Sequence, residues 1–230
     1  MKTSIQITIV FLSVLVFLPV AHCQGTFQNL NFEMAPTDLG SSGGIEYYQI
    51  PNWNATMGPY QDGVTLNTYV LDATTVSLQT GTPIDGTASL FLTASSFGYP
   101  LSTASISQTG LVPTTAKSLN FKVANVMAFQ VPSTLPGQFF VTMNGENIAL
   151  LTVADFGSYI ELAGDISNWD GDTTTLSIGV SVPSSQGPEN YYQGLIDDIS
   201  FSNFAVPEPT TTSISFLAGV AFFLFRRFGL

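Results

Sequence analysis

The sequence predicts an all-β protein: an antiparallel two-sheet sandwich of the jelly-roll type, flanked by a signal peptide and a single C-terminal transmembrane helix. Apolar and polar residues alternate in several short segments, for example over residues 175–182. Such alternation is typical of strands that bury one face. Turn pairs such as Asp85-Gly86 and Asn144-Gly145 separate the segments. Short strands at this spacing, without helical periodicity between them, favour a sandwich.

The composition excludes several classes of protein. Only 9% of the 230 residues are charged, whereas an average soluble domain carries roughly 25%. This scarcity of charge excludes a coiled coil or a solvated helical bundle. Five basic residues against sixteen acidic ones give a net charge of −11, which excludes binding to the nucleic-acid backbone. The aromatic and β-branched content is too high for a disordered chain.

The charges are unevenly distributed along the chain. Three of the five basic residues, Lys2, Arg226 and Arg227, lie at the ends, and Glu208 is the only acid beyond residue 206. Residues 24–206 therefore carry fifteen acids and two bases, a net charge of −13. Basic ends around an acidic middle are typical of a chain whose middle leaves the cytoplasm.

Residues 1–23 are predicted to be a secretory signal peptide. Lys2 precedes an apolar run over residues 5–18, and Ala21-His22-Cys23 ends the segment. The run is too short for a spanning helix, so export through the Sec machinery and cleavage by signal peptidase are expected. A buried N-terminal strand is one alternative. A lipoprotein acylated at Cys23 is another, although that motif requires a small residue where His22 stands.

The other end has the features of a short membrane anchor. An apolar run over residues 214–225 precedes Arg226-Arg227. As a helix it spans about 18 Å, against a hydrocarbon core of about 30 Å. Including the preceding residues, so that the helix covers about 211–225, and letting the arginines snorkel reduces the difference. The arginines belong on the cytoplasmic side, which leaves the acidic domain outside.

Residues 206–230 resemble the PEP-CTERM sorting signal of bacterial exported proteins. The Pro207-Glu208-Pro209 triplet, the apolar helix and the basic end at 226–227 stand in the order of that signal. The resemblance implies recognition by a membrane-embedded exosortase, which cleaves near the triplet. The protein would then be anchored transiently in the inner membrane before it reaches the cell surface or the medium. A plain C-terminal anchor with an incidental proline hinge is the alternative.

The middle segment, residues 24–205, is long enough for one domain with a substantial core. Residues 75–79 and 118–123 alternate like residues 175–182, and each segment is expected to be a half-buried strand. Residues 139–153 look like a β-hairpin whose turn at Asn144-Gly145 is of a primed type.

The two ends of this domain resemble the first and last strands of jelly rolls of the carbohydrate-binding-module type. The first motif is Asn29-x-x-Phe32-Glu33, and the second begins with Asp197-Asp198. In such modules the glutamate of the first strand and a late aspartate often ligate a structural calcium ion. The resemblance therefore implies Glu33 and Asp197 as calcium ligands.

The alternation of the last strand bears on the same aspartate. If Ile199 and Phe201 face the core, Asp197 faces it too, while Asp198 points outward. A carboxylate on a buried face must be paired, hydrogen-bonded, neutralised or bound to metal. With two lysines in the domain, ion pairing is not expected. Backbone hydrogen bonding at the strand end and a calcium site shared with Glu33 both stay open.

Catalytic chemistry has little support in the sequence. After cleavage at residue 23 the chain contains no histidine or cysteine, which excludes Ser-His-Asp and Cys-His catalysis and zinc sites built from those residues. Asp170 and Asp172 stand where a turn is expected. Asp197 and Asp198 point to opposite faces of a strand, so they cannot flank one glycosidic bond.

Aromatic side chains are the candidate ligand contacts, because their rings can stack on sugar faces. We single out Trp53, Tyr60 and Tyr99, which stand near predicted turns. The alternative is that such residues pack at the rim of the sandwich with their polar tips in water. Trp53 follows Ile50-Pro51 and is the one best suited to fill a corner of the core.

These observations predict a non-catalytic, exported cell-surface or matrix protein, sorted by exosortase and associated with exopolysaccharide. A glycan-specific carbohydrate-binding module is the alternative. A polysaccharide lyase or a glycosidase is the third reading, disfavoured by the missing catalytic groups.

Overall fold

The computed structural model describes residues 25–42, 45–58, 63–68, 73–95, 102–124, 139–182 and 191–206. These residues form an all-β sandwich, as the sequence predicts. A five-stranded sheet packs against a seven-stranded sheet, and a separate hairpin lies beside them. The finer expectation of a jelly roll stays a prediction.

The strands are numbered in chain order. Their bounds are β1 Thr37–Ser42, β2 Ile45–Gln49, β3 Asn54–Met57, β4 Thr65–Leu66, β5 Thr75–Gln79, β6 Ser89–Ser95, β7 Ser102–Leu111, β8 Ser118–Ala124, β9 Phe139–Met143, β10 Glu146–Asn147, β11 Leu150–Asp155, β12 Ile160–Asp165, β13 Thr173–Val182 and β14 Tyr191–Ser202. A 3-10 turn, Ser167–Trp169, precedes β13.

The sheets have different strand orders. The five-stranded sheet runs β10-β9-β13-β7-β3 and the seven-stranded sheet β11-β12-β8-β14-β6-β5-β4, while β1 and β2 form the hairpin. Nearly all pairs are antiparallel, but β4 pairs with β5 in parallel, which departs from the expected all-antiparallel sandwich.

The core lies between the two sheets. It takes the alternating apolar residues of each sheet, such as Ile178 and Val180 of β13 and Leu90 and Leu92 of β6, all of them fully buried. Burial of this apolar surface is the main favourable term in folding. The period-two pattern that predicted the strands is thus the pattern that fills the core.

Strands β5 and β6 are buried on both faces, which corrects the expectation that residues 75–79 form a half-buried strand. Ser77 and Gln79 point away from the core yet are at most 1% exposed. Gln79 donates to the Thr68 carbonyl, and the Thr68 amide donates to the Ser77 hydroxyl. Thr68, which follows β4, therefore supplies hydrogen-bond partners to the buried side chains of Ser77 and Gln79 on the outer face of β5.

The Asn29-x-x-Phe32-Glu33 motif is not a strand, which corrects the expectation of a first strand there. Asn29 and Phe32 have positive φ values of 51° and 58°, so the backbone turns twice within four residues. Phe32 nevertheless enters the core, 5.9 Å from the Trp53 ring. The first strand begins at Thr37 instead.

The hairpin predicted over residues 139–153 is only half right. Asn144 and Gly145 have φ values of 50° and 85°, as a primed turn requires. The returning strand β10 has only two residues, and β11 then pairs with β12 in the other sheet. The buried side chain of Ile148 marks the point at which the chain leaves the hairpin.

The proposed signal peptide (1–23) and the sorting segment with its helix at about 211–225 lie outside the described residues. Within the part of the chain that the structure describes, no helix has the length and apolarity needed to cross a membrane.

Candidate functional site

The outer face of the five-stranded sheet carries a continuous row of neutral polar residues. Directly paired positions on β10, β9, β13, β7 and β3 are Asn147, Thr142, Ser177, Ser107 and Asn54. Directly paired residues share one face of a sheet, and on β9, β13 and β7 the neighbours of these residues along the strand are buried. At about 4.8 Å between strands, the row extends about 19 Å across the sheet.

Further hydroxyl pairs extend the face along β7 and β13. The hydroxyls of Thr109 and Thr175 lie 2.7 Å apart, and the Thr103 hydroxyl donates to Ser181 at 3.1 Å. Among the described residues that face outward from the paired positions of β3, β7, β9 and β13, none is charged. The face is therefore polar without being ionic.

One aromatic ring lies on this face. Phe140 of β9 is directly paired with Gly179 of β13. A Cβ atom at Gly179 would lie 2.6 Å from Phe140 Cζ and 2.6 Å from the Ala104 carbonyl oxygen. The half-buried Phe140 ring therefore occupies the space that a side chain at 179 would fill. Glycine at this position creates an aromatic platform in the middle of a hydroxyl-rich surface.

A cleft of about 630 Å³ opens at the β3 end of the row. Asn54, Thr56 and Ser107 of the sheet face line it on one side, and Leu39 and Tyr48 of the β1–β2 hairpin line it on the other. The row thus ends in a groove with an apolar and an aromatic wall.

The wall of this cleft is held in place by Tyr48. Its backbone exchanges hydrogen bonds of 2.7 and 2.6 Å with Val64, and its phenol donates to Glu46 Oε2 at 2.8 Å. That hydrogen bond raises the pKa of Tyr48, so the phenol stays protonated at neutral pH. The hairpin is therefore tied to the sandwich at the point where it borders the cleft.

Of the three aromatic residues predicted to contact a ligand, one lies in the described residues. Trp53 is 2% exposed, and its indole N–H donates to the Asn29 carbonyl at 2.9 Å. Its ring packs against Phe32 in the core and borders the cleft described above, so a contact between Trp53 and a ligand stays a prediction. Tyr60 and Tyr99 lie outside the described residues.

The predicted calcium ligands Glu33 and Asp197 both form hydrogen bonds with one loop, residues 85–89. Each of them bonds to different residues of that loop. The Glu33 carboxylate accepts from the Thr87 amide at 2.8 Å and the Ala88 amide at 3.2 Å, and also from the Thr87 hydroxyl. These donors, the Thr87 hydroxyl foremost, lower the pKa of Glu33. Glu33 therefore holds the loop as a carboxylate.

Asp197 accepts hydrogen bonds from two other residues of the same loop. Its Oδ2 accepts from the Asp85 amide at 3.1 Å and from the Ser89 hydroxyl at 2.6 Å, while its Oδ1 accepts from the Asp198 amide at 2.7 Å. Asp197 is 1% exposed. Burial raises its pKa to about 6 despite these hydrogen bonds.

Asp197 does not share a face with Ile199 and Phe201, which corrects the orientation predicted from alternation. Ile196 and Ile199 both lie in the core although they are three residues apart. A bulge between Asp197 and Ser200, with Asp198 at φ 49°, inserts one extra residue. Asp197 therefore points to the outer side of the sheet, opposite Lys122 of β8, and is buried beneath the loop.

Lys122 connects this loop to the sheet. Its Nζ lies 2.6 Å from Asp85 Oδ2 and 3.0 Å from Asp198 Oδ2, and 5.5 Å from the centre of the Tyr159 ring. Burial by itself would lower the pKa of Lys122, but the two carboxylates raise it well above its ordinary value. The Lys122 ammonium is therefore charged at neutral pH and is paired with two carboxylates.

The hydrogen bonds of Glu33 and Asp197 bear on the predicted calcium site. Calcium takes six to eight oxygen ligands, whereas the oxygens of Glu33 and Asp197 accept from N–H and O–H groups. Within the described ranges, no three or more His, Cys, Asp or Glu side chains group closely enough to hold a metal. Calcium binding stays a prediction.

Of the two aspartates expected in a turn, Asp170 has an ion-pair partner. Asp170, next to the 3-10 turn, pairs with Lys117 at 2.9 Å. The sorting residues Pro207, Glu208, Pro209, Arg226 and Arg227 lie outside the described residues. Sequence reasoning missed Phe140 and the hydroxyl row; the signal for the row was the serine and threonine alternation over residues 103–109 and 173–181.

Comparisons with known proteins bear on the fold of this chain alone. No protein-family model and no curated protein sequence matches the chain. Similar solved structures include a β-sandwich carbohydrate-binding module of promiscuous specificity, with 17% identity and a TM-score of 0.41, over 78% of this chain and 63% of that one. The chain thus spans less than two thirds of that structure's length.

Two more structures are similar at this level. One is a family 11 carbohydrate-binding module from Clostridium thermocellum in complex with a β-1,3-1,4-mixed-linked tetrasaccharide, with 9% identity and a TM-score of 0.37, over 75% of this chain and 98% of that one. The other is the enzymatically active domain of a tailspike protein of bacteriophage CBA120, with 14% identity and a TM-score of 0.38, over 67% and 20%. Likeness at these values assigns neither ligand nor activity to this chain.

Proposed function

We propose that this protein is a non-catalytic, exported surface or matrix protein that binds polysaccharide on the outer face of its five-stranded sheet. The observation that carries the proposal is the Phe140 ring resting on Gly179 within a field of hydroxyl and carboxamide groups. A sugar ring offers an apolar face and a rim of hydroxyls, so it needs both kinds of partner. This face supplies them side by side.

The geometry favours a chain ligand over a single small molecule. The polar row crosses all five strands, and the cleft beside Tyr48 continues it at the β3 end. Each hydroxyl or carboxamide can both donate and accept a hydrogen bond, as sugar hydroxyls do. An open, extended surface of this kind suits association with a polymer. Sharp selectivity for one glycan would instead favour the alternative, a glycan-specific carbohydrate-binding module.

The first test removes the platform. In Phe140→Ala the ligand loses its apolar contact, and we expect retention by the best-bound polysaccharide of a neutral panel to fall at least about tenfold, or about 1.4 kcal/mol. Affinity electrophoresis measures it. Phe156→Ala is the matched control, because Phe156 is 57% exposed and follows β11 of the other sheet. Equal losses in both variants would refute the assignment of the face.

Export and sorting belong to the same proposal and rest on the sequence. The predicted signal peptide and the Pro207-Glu208-Pro209 signal support delivery to the cell surface through exosortase. Replacing the triplet by three alanines should leave full-length protein in the membrane fraction, as immunoblots of fractionated cells would show. Unchanged processing would exclude exosortase and leave a plain anchor.

A further inference from the structure

We propose that the polymer bound by the five-stranded face is uncharged and that the domain excludes polyanions. The proposal rests on the function proposed above and names the class of its ligand.

The first argument is the absence of an available cation. Residues 24–206 contain two basic residues, Lys117 and Lys122. The Lys117 ammonium is 2.9 Å from Asp170, and that of Lys122 is 2.6 Å from Asp85 and 3.0 Å from Asp198. Both lysines lie at or next to β8, in the opposite sheet. A sulfate or carboxylate on a polymer would therefore find no unpaired lysine side chain in the part of the domain that the structure describes.

The second argument is the charge of the domain as a whole. A net charge of −13 on about 180 residues repels a polyanion over the Debye length, about 8 Å at physiological ionic strength. A neutral chain experiences no such repulsion. The domain charge therefore discriminates between polymers before any contact is formed.

The third argument is the chemistry of the face itself. Its polar outward groups are hydroxyls and carboxamides, with Asn147 and Asn54 at the two ends of the row. These groups match neutral hydroxyls as donors and acceptors. A carboxylate placed among them would lose its water without gaining an opposite charge, which is unfavourable.

The test compares polymers that share a backbone and differ only in charge. Native gels would contain hydroxyethyl cellulose or carboxymethyl cellulose, and dextran or carboxymethyl dextran, at low and high salt. We expect the neutral member of at least one pair to retain the protein, and its anionic partner to retain it at least tenfold less at low salt. Higher salt should narrow that difference, because it screens the repulsion.

The outcomes separate this proposal from the one on which it rests. Equal or stronger retention by an anionic polymer, with or without added calcium, would overturn the exclusion of polyanions while leaving polysaccharide binding intact. Failure of every polymer to retain the protein would overturn both.

A charge placed on the face gives a second test. Ser107→Lys puts an unpaired ammonium in the middle of the row, so its retention by carboxymethyl polymers should rise severalfold. Thr152→Lys, on exposed β11 of the other sheet, adds the same charge elsewhere and should change retention far less. An equal rise in retention for both variants would show that the net charge of the protein alone determines retention. It would contradict a specific role for this face.

Discussion

Gly179→Val is expected to lose polysaccharide binding and to unfold more readily than the wild type. A Cβ atom at residue 179 would lie 2.6 Å from Phe140 Cζ and 2.6 Å from the Ala104 carbonyl oxygen. Any side chain there would therefore need space that these two groups now occupy. The ring can swing away, but the carbonyl belongs to the neighbouring strand β7. We therefore expect displacement of the platform together with a stability loss of about 1–3 kcal/mol, typical of overpacking.

Two measurements separate these effects. Urea denaturation gives the change in the free energy of unfolding, and affinity electrophoresis at a temperature where the variant is folded gives the change in binding. Ser158→Val is the control, because it places the same side chain at an exposed position between β11 and β12 of the other sheet, outside the polar row and without a glycine's close approach. A Gly179→Val protein that binds as well as the wild type would show that the ring on Gly179 is not the platform.

The second large effect is a dependence of stability on pH that one buried carboxyl causes. The folded-state pKa of Asp197, about 6, is above its ordinary value of 3.8, so the folded state holds this proton more tightly than the unfolded state. The stability that protonation contributes is fully present below pH 3.8 and is lost as the pH rises through 6. Its magnitude is on the order of 3 kcal/mol.

Two other carboxyls act in the opposite direction. The pKa values of Glu33 and Asp85 are lowered by their hydrogen bonds to Thr87 and Lys122 respectively, so their contributions are lost as the pH falls below their ordinary values of 4.5 and 3.8. The wild type should therefore be most stable between about pH 4.5 and 6, and less stable at pH 7.

Asp197→Asn tests the assignment, because a carboxamide of nearly the same shape does not titrate. We expect Tm to rise in the wild type between pH 7 and pH 5, and to change little in the variant. Asp165→Asn is the control and should keep the wild-type rise. The same slope in wild type and Asp197→Asn would mean that another group titrates. Melting curves with calcium and with a chelator would at the same time test the predicted calcium site.

Several features could be predicted from the sequence because they depend on neighbouring residues. Alternation along one strand dictates which residues are apolar together, so the strand segments around 118–123 and 175–182 were predictable. The primed turn at Asn144-Gly145 was predictable too, because only those residue types adopt two successive positive φ values easily. The shortage of cations is a matter of composition and needs no structure.

The candidate site depended on contacts between residues far apart in the chain. Serine and threonine alternate visibly in β7 and β13, but only pairing between strands about 70 residues apart turns them into a row with Asn54 and Thr142. In the sequence, Phe140 is an ordinary strand residue. Only the strand register shows that it is paired with Gly179. Asp197 was assigned to the wrong face because a single extra residue in a bulge reverses the alternation beyond it.

The sequence by itself determined the class of the fold and the acidity of the domain, because each follows from composition or local pattern. Export and sorting, which its two ends predict, stay predictions. The tertiary structure alone decided where the neutral polar surface lies, which aromatic ring it carries and how two carboxylates hold one loop. The physical reason is that strand register is a non-local property: it is set by the packing of the whole sandwich and is encoded in no single segment.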